Sequence, residues 1–158
     1  VVPELAKDSN VDLVVCSVRV DRHFATISPS LKAGKNVFVE WPLGKNLTEA
    51  KELLRLKNEN GVKTAVVGLQ GRQATSVKKI KELVDGGRIG EVLSSTWQGQ
   101  GTNAGPTVTE GREYISDRTI GGNLVTIHFG HSIDYIQHGI SPPPPPPSTQ
   151  KHNARTTY

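Results

Sequence analysis

A single cysteine, Cys16, stands among 158 residues. No internal disulfide can therefore staple the fold, and a reducing compartment is expected. Because Cys16 sits in an apolar stretch, it reads as a buried structural thiol rather than a nucleophile. No apolar run approaches the ~20 residues of a membrane-spanning helix. The N-terminus also lacks a basic region followed by an apolar stretch, so a cytoplasmic or nuclear address is expected and a membrane partner is not. Charge of neither sign dominates, since the net value is only +4. Lys78, Lys79 and Lys81 alternate with Glu82 and Asp85 as on a solvated helix face, and Lys151 and Arg155 add to the excess from the tail. Aromatic and basic residues do not interleave, so direct nucleic-acid binding is not expected. No internal repeat is evident.

What is present fits a soluble globular chain diluted by a polar, Pro-rich end, with 35% hydrophobic and 22% charged residues. Its length would support one domain with an adequate core. Pro3 to Asn10 reads as a helix end and Val11 to Val18 as an apolar, β-branched strand. Phe24, Ile27, Leu31 and Ala33 recur at helical spacing until Gly34. A strand follows at Asn36 to Glu40, then a helix from about Leu47 to Asn60, with Asn46 as N-cap and Glu49 three residues on. Its stripe is Leu47, Ala50, Leu53, Leu54 and Leu56. A strand at Val62 to Gly68 and a helix from about Ser76 to Asp85 come next. Apolar strands separated by helices predict a parallel sheet covered on both faces.

Arg88 to Trp97 reads as a turn entering a strand. Gly99-Gln100-Gly101-Thr102-Asn103-Ala104 imitates a dinucleotide fingerprint. No amphipathic helix follows it, however, so it reads as a flexible connection. Gly121 to Gly139 is mostly apolar and helix-like. Beyond Ser141 stand six consecutive prolines, which favour extended polyproline II, and Ser148 to Tyr158 is polar, unpatterned and expected to be disordered.

The tripeptide Glu40-Trp41-Pro42 ends a strand and precedes a helix start, which puts it at the sheet's carboxyl edge, where open α/β folds bind ligands. Trp41 is expected to point into a site rather than into a core. Val11 to Gly44 resembles the glucose-fructose oxidoreductase and inositol dehydrogenase family, whose hallmark here is Glu-Lys-Pro. The indole that replaces that lysine cannot act as a base.

The resemblance runs to about residue 140. It implies the C-terminal half of a dinucleotide-binding, Rossmann-type domain over residues 1–73 and the beginning of a second, α+β domain over 74–140, with 141–158 as tail. It also implies that the chain is a fragment, with the pyrophosphate loop upstream of Val1 and most strands of the second sheet after Ile140. The cofactor implied is NAD or NADP. Ser17, Val18 and His23 would line the cofactor cleft together with Glu40, Trp41 and Pro42. The reading without function makes Asp21 a helix N-cap and His23 a first-turn surface residue. Gln70 and Arg72 would lie beside the nicotinamide, where an amide and a guanidinium can bind oxygens, unless they merely form a polar turn.

Related dehydrogenases carry Asp-x-Gly-x-His-x-x-Asp where this chain has Ile127 to Asp134. His131 and Asp134 match, and His131 becomes the candidate proton acceptor. Ile127 and Phe129 replace the first Asp and the Gly. His128, His131, Asp134 and His138 admit a metal reading, but their helix also carries Leu124, Ile127, Ile133 and Ile136, so a buried helix with a satisfied histidine explains them more simply and no metal is expected.

Glu-Trp for Glu-Lys, Leu-Gln-Gly-Arg and Phe-Gly-His-x-Ile-Asp together resemble the fungal galactose-pathway repressors. That implies a dehydrogenase-like regulator with weak or no catalysis, an acidic transcriptional activator segment as partner, and a homo-oligomer at full length. Two alternatives stand beside it. One is an active NAD(P)-dependent oxidoreductase of sugars or polyols, and the other is a fragment without function of its own.

Overall fold

The computed structural model describes residues 2–99, 107–108 and 110–141. The proline run, the tail and most of the fingerprint-like loop lie outside the described residues. Three strands, β1 (Leu13–Cys16), β2 (Asn36–Glu40) and β3 (Ala65–Gly68), pair in the order β1-β2-β3. Both pairings are parallel, with Val15 beside Phe38 and Phe38 beside Val66. Helix α1 (Val2–Lys7) precedes β1, α2 (His23–Lys32) joins β1 to β2, and α3 (Leu47–Glu59) joins β2 to β3.

Local chemistry accounts for these boundaries. The Asn46 side chain accepts from the Glu49 amide at 2.9 Å, and the Glu49 carboxylate accepts from the Lys45 amide at 3.0 Å. The two exchange partners as in a capping box, displaced by one residue on the return bond. Gly34 ends the α2 connection at φ 72°, a left-handed conformation open to glycine without strain. β1 and β3 are shorter than expected. Thr64 shows why for β3: its amide is held by the Asn36 side chain at 3.0 Å rather than by a continuing ladder.

The core lies on one face of the sheet. Val14, Cys16, Val37 and Val39 point toward α2 and α3 and are buried with Ile27, Leu31, Leu53, Leu56 and Val62. Burying each of these aliphatic side chains contributes about 1.5–3 kcal/mol before entropy is counted. The other face is not covered by the described residues, contrary to the expectation of a sheet clothed on both sides. Leu13 is 52% exposed, Val15 60% and Val66 45%. A continuous apolar run shows that both faces suit burial, but which segment covers each face is a property of the tertiary arrangement. The stripe on α3 is likewise half used, with Leu53 and Leu56 buried and Leu47 and Leu54 exposed.

After β3, helix α4 (Thr75–Asp85) leads to Gly86 and Gly87. Residues 91–97 pair with no strand among the described residues, so the expected strand is not formed there. An extended segment needs a partner ladder to become a strand. A π-turn at Val125–Phe129 runs directly into α5 (Gly130–Ile140), which packs against α4. Among the described residues no helix is long and apolar enough to cross a membrane.

Candidate functional site

The three parallel strands end on one edge, and the loops after them form its rim. After β1, Ser17 and Val18 are exposed while Val20 turns inward. Arg19 and Asp21 pair through two contacts of 2.7 and 2.8 Å, and the guanidinium holds the Asp21 carboxyl below its ordinary value. Asp21 is therefore not the N-cap of α2. The cap position is Arg22, without a side-chain bond. The Arg19 guanidinium also lies 5.6 Å from the centroid of the Tyr114 ring, within cation–π range.

His23 is not a surface residue. It is 1% exposed, with Nδ1 2.9 Å from the Pro42 carbonyl oxygen and Nε2 2.8 Å from that of Val18. A neutral imidazole donates from one nitrogen and a protonated one from both. The ring stands behind the rim between the loop after β1 and the loop after β2, within hydrogen-bond distance of a carbonyl on each. A buried histidine bracketed by two carbonyls arranges the loops that carry Ser17, Val18 and Trp41.

At the end of β2, Glu40 lies over Gly68 of β3. A Cβ on Gly68 would stand 2.9 Å from the Glu40 carboxylate and 3.1 Å from the Phe38 ring. The missing side chain is thus the seat of Glu40. Trp41 follows through a cis bond to the buried Pro42. Its indole Nε1 donates to the Thr126 carbonyl at 2.6 Å. The ring lies against Gly130, where a Cβ would fall 2.6 Å from Nε1 and 2.9 Å from Cε2. Trp41 thus stands at the carboxyl rim, half-buried, with its one polar hydrogen already used.

The turn after β3 is exposed at Gln70, while Arg72 reaches α5. Arg72 Nε donates to Asp134 at 2.8 Å and a second guanidinium nitrogen meets the other carboxylate oxygen, a two-pronged pair. This contact raises the Arg72 pKa above its ordinary value. Gly71 lets the backbone approach Tyr135, whose Cδ1 would be 2.9 Å from a Cβ there. His131 occupies the first turn of α5, half-buried and next in sequence to Gly130. Among the described residues no three His, Cys, Asp or Glu side chains converge as a metal site.

The rim therefore gathers the ends of β2 and β3 against residues 126–135. Thr126, Gly130 and Tyr135 escaped sequence reasoning. One signal existed: Asn123 stands three residues before Thr126 at a helix start. The Asn123 side chain accepts from the Val125 and Thr126 amides at 2.9 and 3.1 Å, and Thr126 Oγ1 accepts from the Asn123 amide at 3.0 Å. Thr126 Oγ1 also donates to the Gly121 carbonyl at 2.7 Å. The acceptor of the Trp41 indole is thereby fixed.

A parallel sheet crossed over by helices matches what comparison with known proteins finds. Residues 2–69 match the oxidoreductase family with the NAD-binding Rossmann fold. Residues 2–69 belong to this oxidoreductase family. Residues 75–144 match the Gal80p C-terminal domain family. The dehydrogenase aclE of Aspergillus oryzae is 39% identical over 141 residues, covering 84% of this chain and 36% of that protein. The galactose/lactose metabolism regulatory protein GAL80 of Saccharomyces cerevisiae is 34% identical over 140 residues, covering 84% and 32%. A crystal structure of a super-repressor mutant of Gal80p from Saccharomyces cerevisiae superposes with a TM-score of 0.81 at 31% identity, covering 89% of this chain and 38% of that one. The chain spans about a third of the length of these curated relatives.

Proposed function

We propose that this protein acts as a nicotinamide-dinucleotide-binding regulator with little or no dehydrogenase activity. The observation that carries this reading is Trp41. A proton-transferring group is wanted at the rim for alcohol oxidation. Position 41 holds instead an indole whose single N–H is donated to the Thr126 carbonyl. Arg72, which would position substrate oxygens, is held by Asp134.

The residues present suit the dinucleotide. Exposed Ser17 and Val18, the Gln70 amide and the Glu40 seated over Gly68 line one rim. Pro42 and His23 hold that rim from behind. When bound, the dinucleotide would supply a hydride acceptor. NAD and NADP are both candidates, because the residue that reads the ribose 2′ position is not among these. The similarity to the galactose/lactose metabolism regulatory protein GAL80 supports the regulatory part of this reading, and the proposal includes an acidic transcriptional activator segment as protein partner and a homo-oligomeric full-length form.

A second reading has its own support. The 39% identity to a dehydrogenase and the half-buried His131 favour an active NAD(P)-dependent oxidoreductase of sugars or polyols, with His131 as base. One experiment separates the two: titration with NAD and NADP, then assay of sugar and polyol oxidation, then addition of acidic peptides. Binding without turnover, with peptide capture dependent on dinucleotide, supports the regulator. Turnover lost in His131→Ala by about 100-fold or more supports the enzyme.

A further inference from the structure

We infer that Trp41 and Gly130 form a matched lock that seats the helical segment 125–140 on the carboxyl rim, with Gly130 as the positioning residue. The indole rests where any side chain at position 130 would project, since a Cβ there would come within 2.6 to 2.9 Å of three indole atoms. Real Cβ atoms do not approach so closely, so an alanine displaces the ring. The same displacement breaks the donation from Nε1 to the Thr126 carbonyl.

Two other close approaches lie beside it: Gly71 against Tyr135 of the same segment, and Gly122, just ahead of it, against Val20, where a Cβ would stand 2.9 Å from Cγ1. A mid-helix glycine is destabilising relative to alanine. Gly130 therefore needs a packing reason, and the indole provides it. The π-turn at Val125–Phe129 places the Thr126 carbonyl within reach of Trp41, and the Asn123 cap holds that turn in place. The rim is thus assembled by a large residue on the β2 loop and an absent side chain on α5.

A double-mutant cycle tests this by amide exchange on the whole polypeptide. Gly130→Ala is expected to speed exchange across residues 125–140 roughly tenfold while leaving β1 and β2 unchanged. In a Trp41→Phe background the smaller ring leaves room for the methyl, so the same substitution should change exchange less than about twofold. With Trp97 replaced by Phe, Trp41 is the sole indole, and Gly130→Ala should shift its emission to the red. Equal damage from Gly130→Ala with either residue at position 41, or no damage with tryptophan there, overturns the lock. Should Gly130→Ala fail to fold, Trp41→Phe alone decides, because it must loosen residues 125–140 selectively. A weakened affinity for NAD in Gly130→Ala is the expected functional consequence, and that part alone rests on the dinucleotide-binding reading. Were the unmutated protein to bind neither NAD nor NADP, that reading would fall while exchange still judged the lock.

Discussion

Arg72 and Asp134 join the turn after β3 to helix α5 through a two-pronged ion pair, one contact at 2.8 Å between Nε and the carboxylate. The Asp134 side chain is 13% exposed and that of Arg72 47%. The pair is therefore partly screened, and its worth lies between that of a surface pair and a buried one. Arg72→Ala is expected to lower stability by about 1 kcal/mol. Thermal unfolding should show this as a fall of a few degrees, larger than for Arg55→Ala, whose partners are all well exposed. Equal losses from the two would mean that Arg72 adds nothing beyond an exposed contact.

His23→Phe removes the hydrogen bonding at the Pro42 and Val18 carbonyls while keeping much of the buried volume. Leaving buried acceptors unsatisfied costs about 1–3 kcal/mol. Denaturant midpoints should fall accordingly, and the unchanged slope would place the effect in the native state. A variant as stable as the parent would show that the two loops hold without the imidazole.

Cys16 is 1% exposed, and burial raises its thiol pKa above the ordinary value. The folded state thus retains the proton more firmly than the unfolded one. Its contribution to stability is complete below the unfolded pKa and is lost as pH rises through the folded value. A disulfide reagent at pH 8 should react with the native chain far more slowly than with the urea-unfolded chain. Equal rates would mean that β1 does not bury Cys16.

The parts of this fold that local chemistry determines were legible in the sequence. β2 matched its expected bounds at both ends, and Asn46 caps α3 as its spacing to Glu49 implied. Which face of the sheet the described residues leave uncovered was not legible, since Val14 and Val15 look alike in an apolar run and only tertiary packing separates them. The depth of His23 was not legible for the same reason: its place in the sequence fits a cofactor contact and a first-turn surface position alike, and its partner Pro42 is 19 residues away. The rim location of Trp41 followed from the strand end, but its seat did not. Its acceptor lies 85 residues downstream, and nothing in the tripeptide points to Thr126.

Gly121→Ala should be among the most damaging single glycine substitutions. Gly121 has φ 83°, and a Cβ there would stand 2.5 Å from the Lys45 carbonyl oxygen, so both strain and collision oppose alanine. A loss of roughly 2 kcal/mol or more is expected. Gly87→Ala provides the control, because it shares a positive φ of 66° but meets nothing within 4 Å. The difference between the two in thermal unfolding measures the contact with Lys45.

With an indole at position 41 whose N–H is given to Thr126, the rim is expected to hold a nicotinamide dinucleotide without oxidising a substrate. The most direct measurement is a titration of the full-length protein with NAD and NADP, followed on the same sample by a search for sugar or polyol oxidation. The account predicts saturable binding of one dinucleotide and no reduced nicotinamide above the protein-free rate. Steady formation of reduced nicotinamide by the unmutated protein, or an absence of dinucleotide binding, would contradict it.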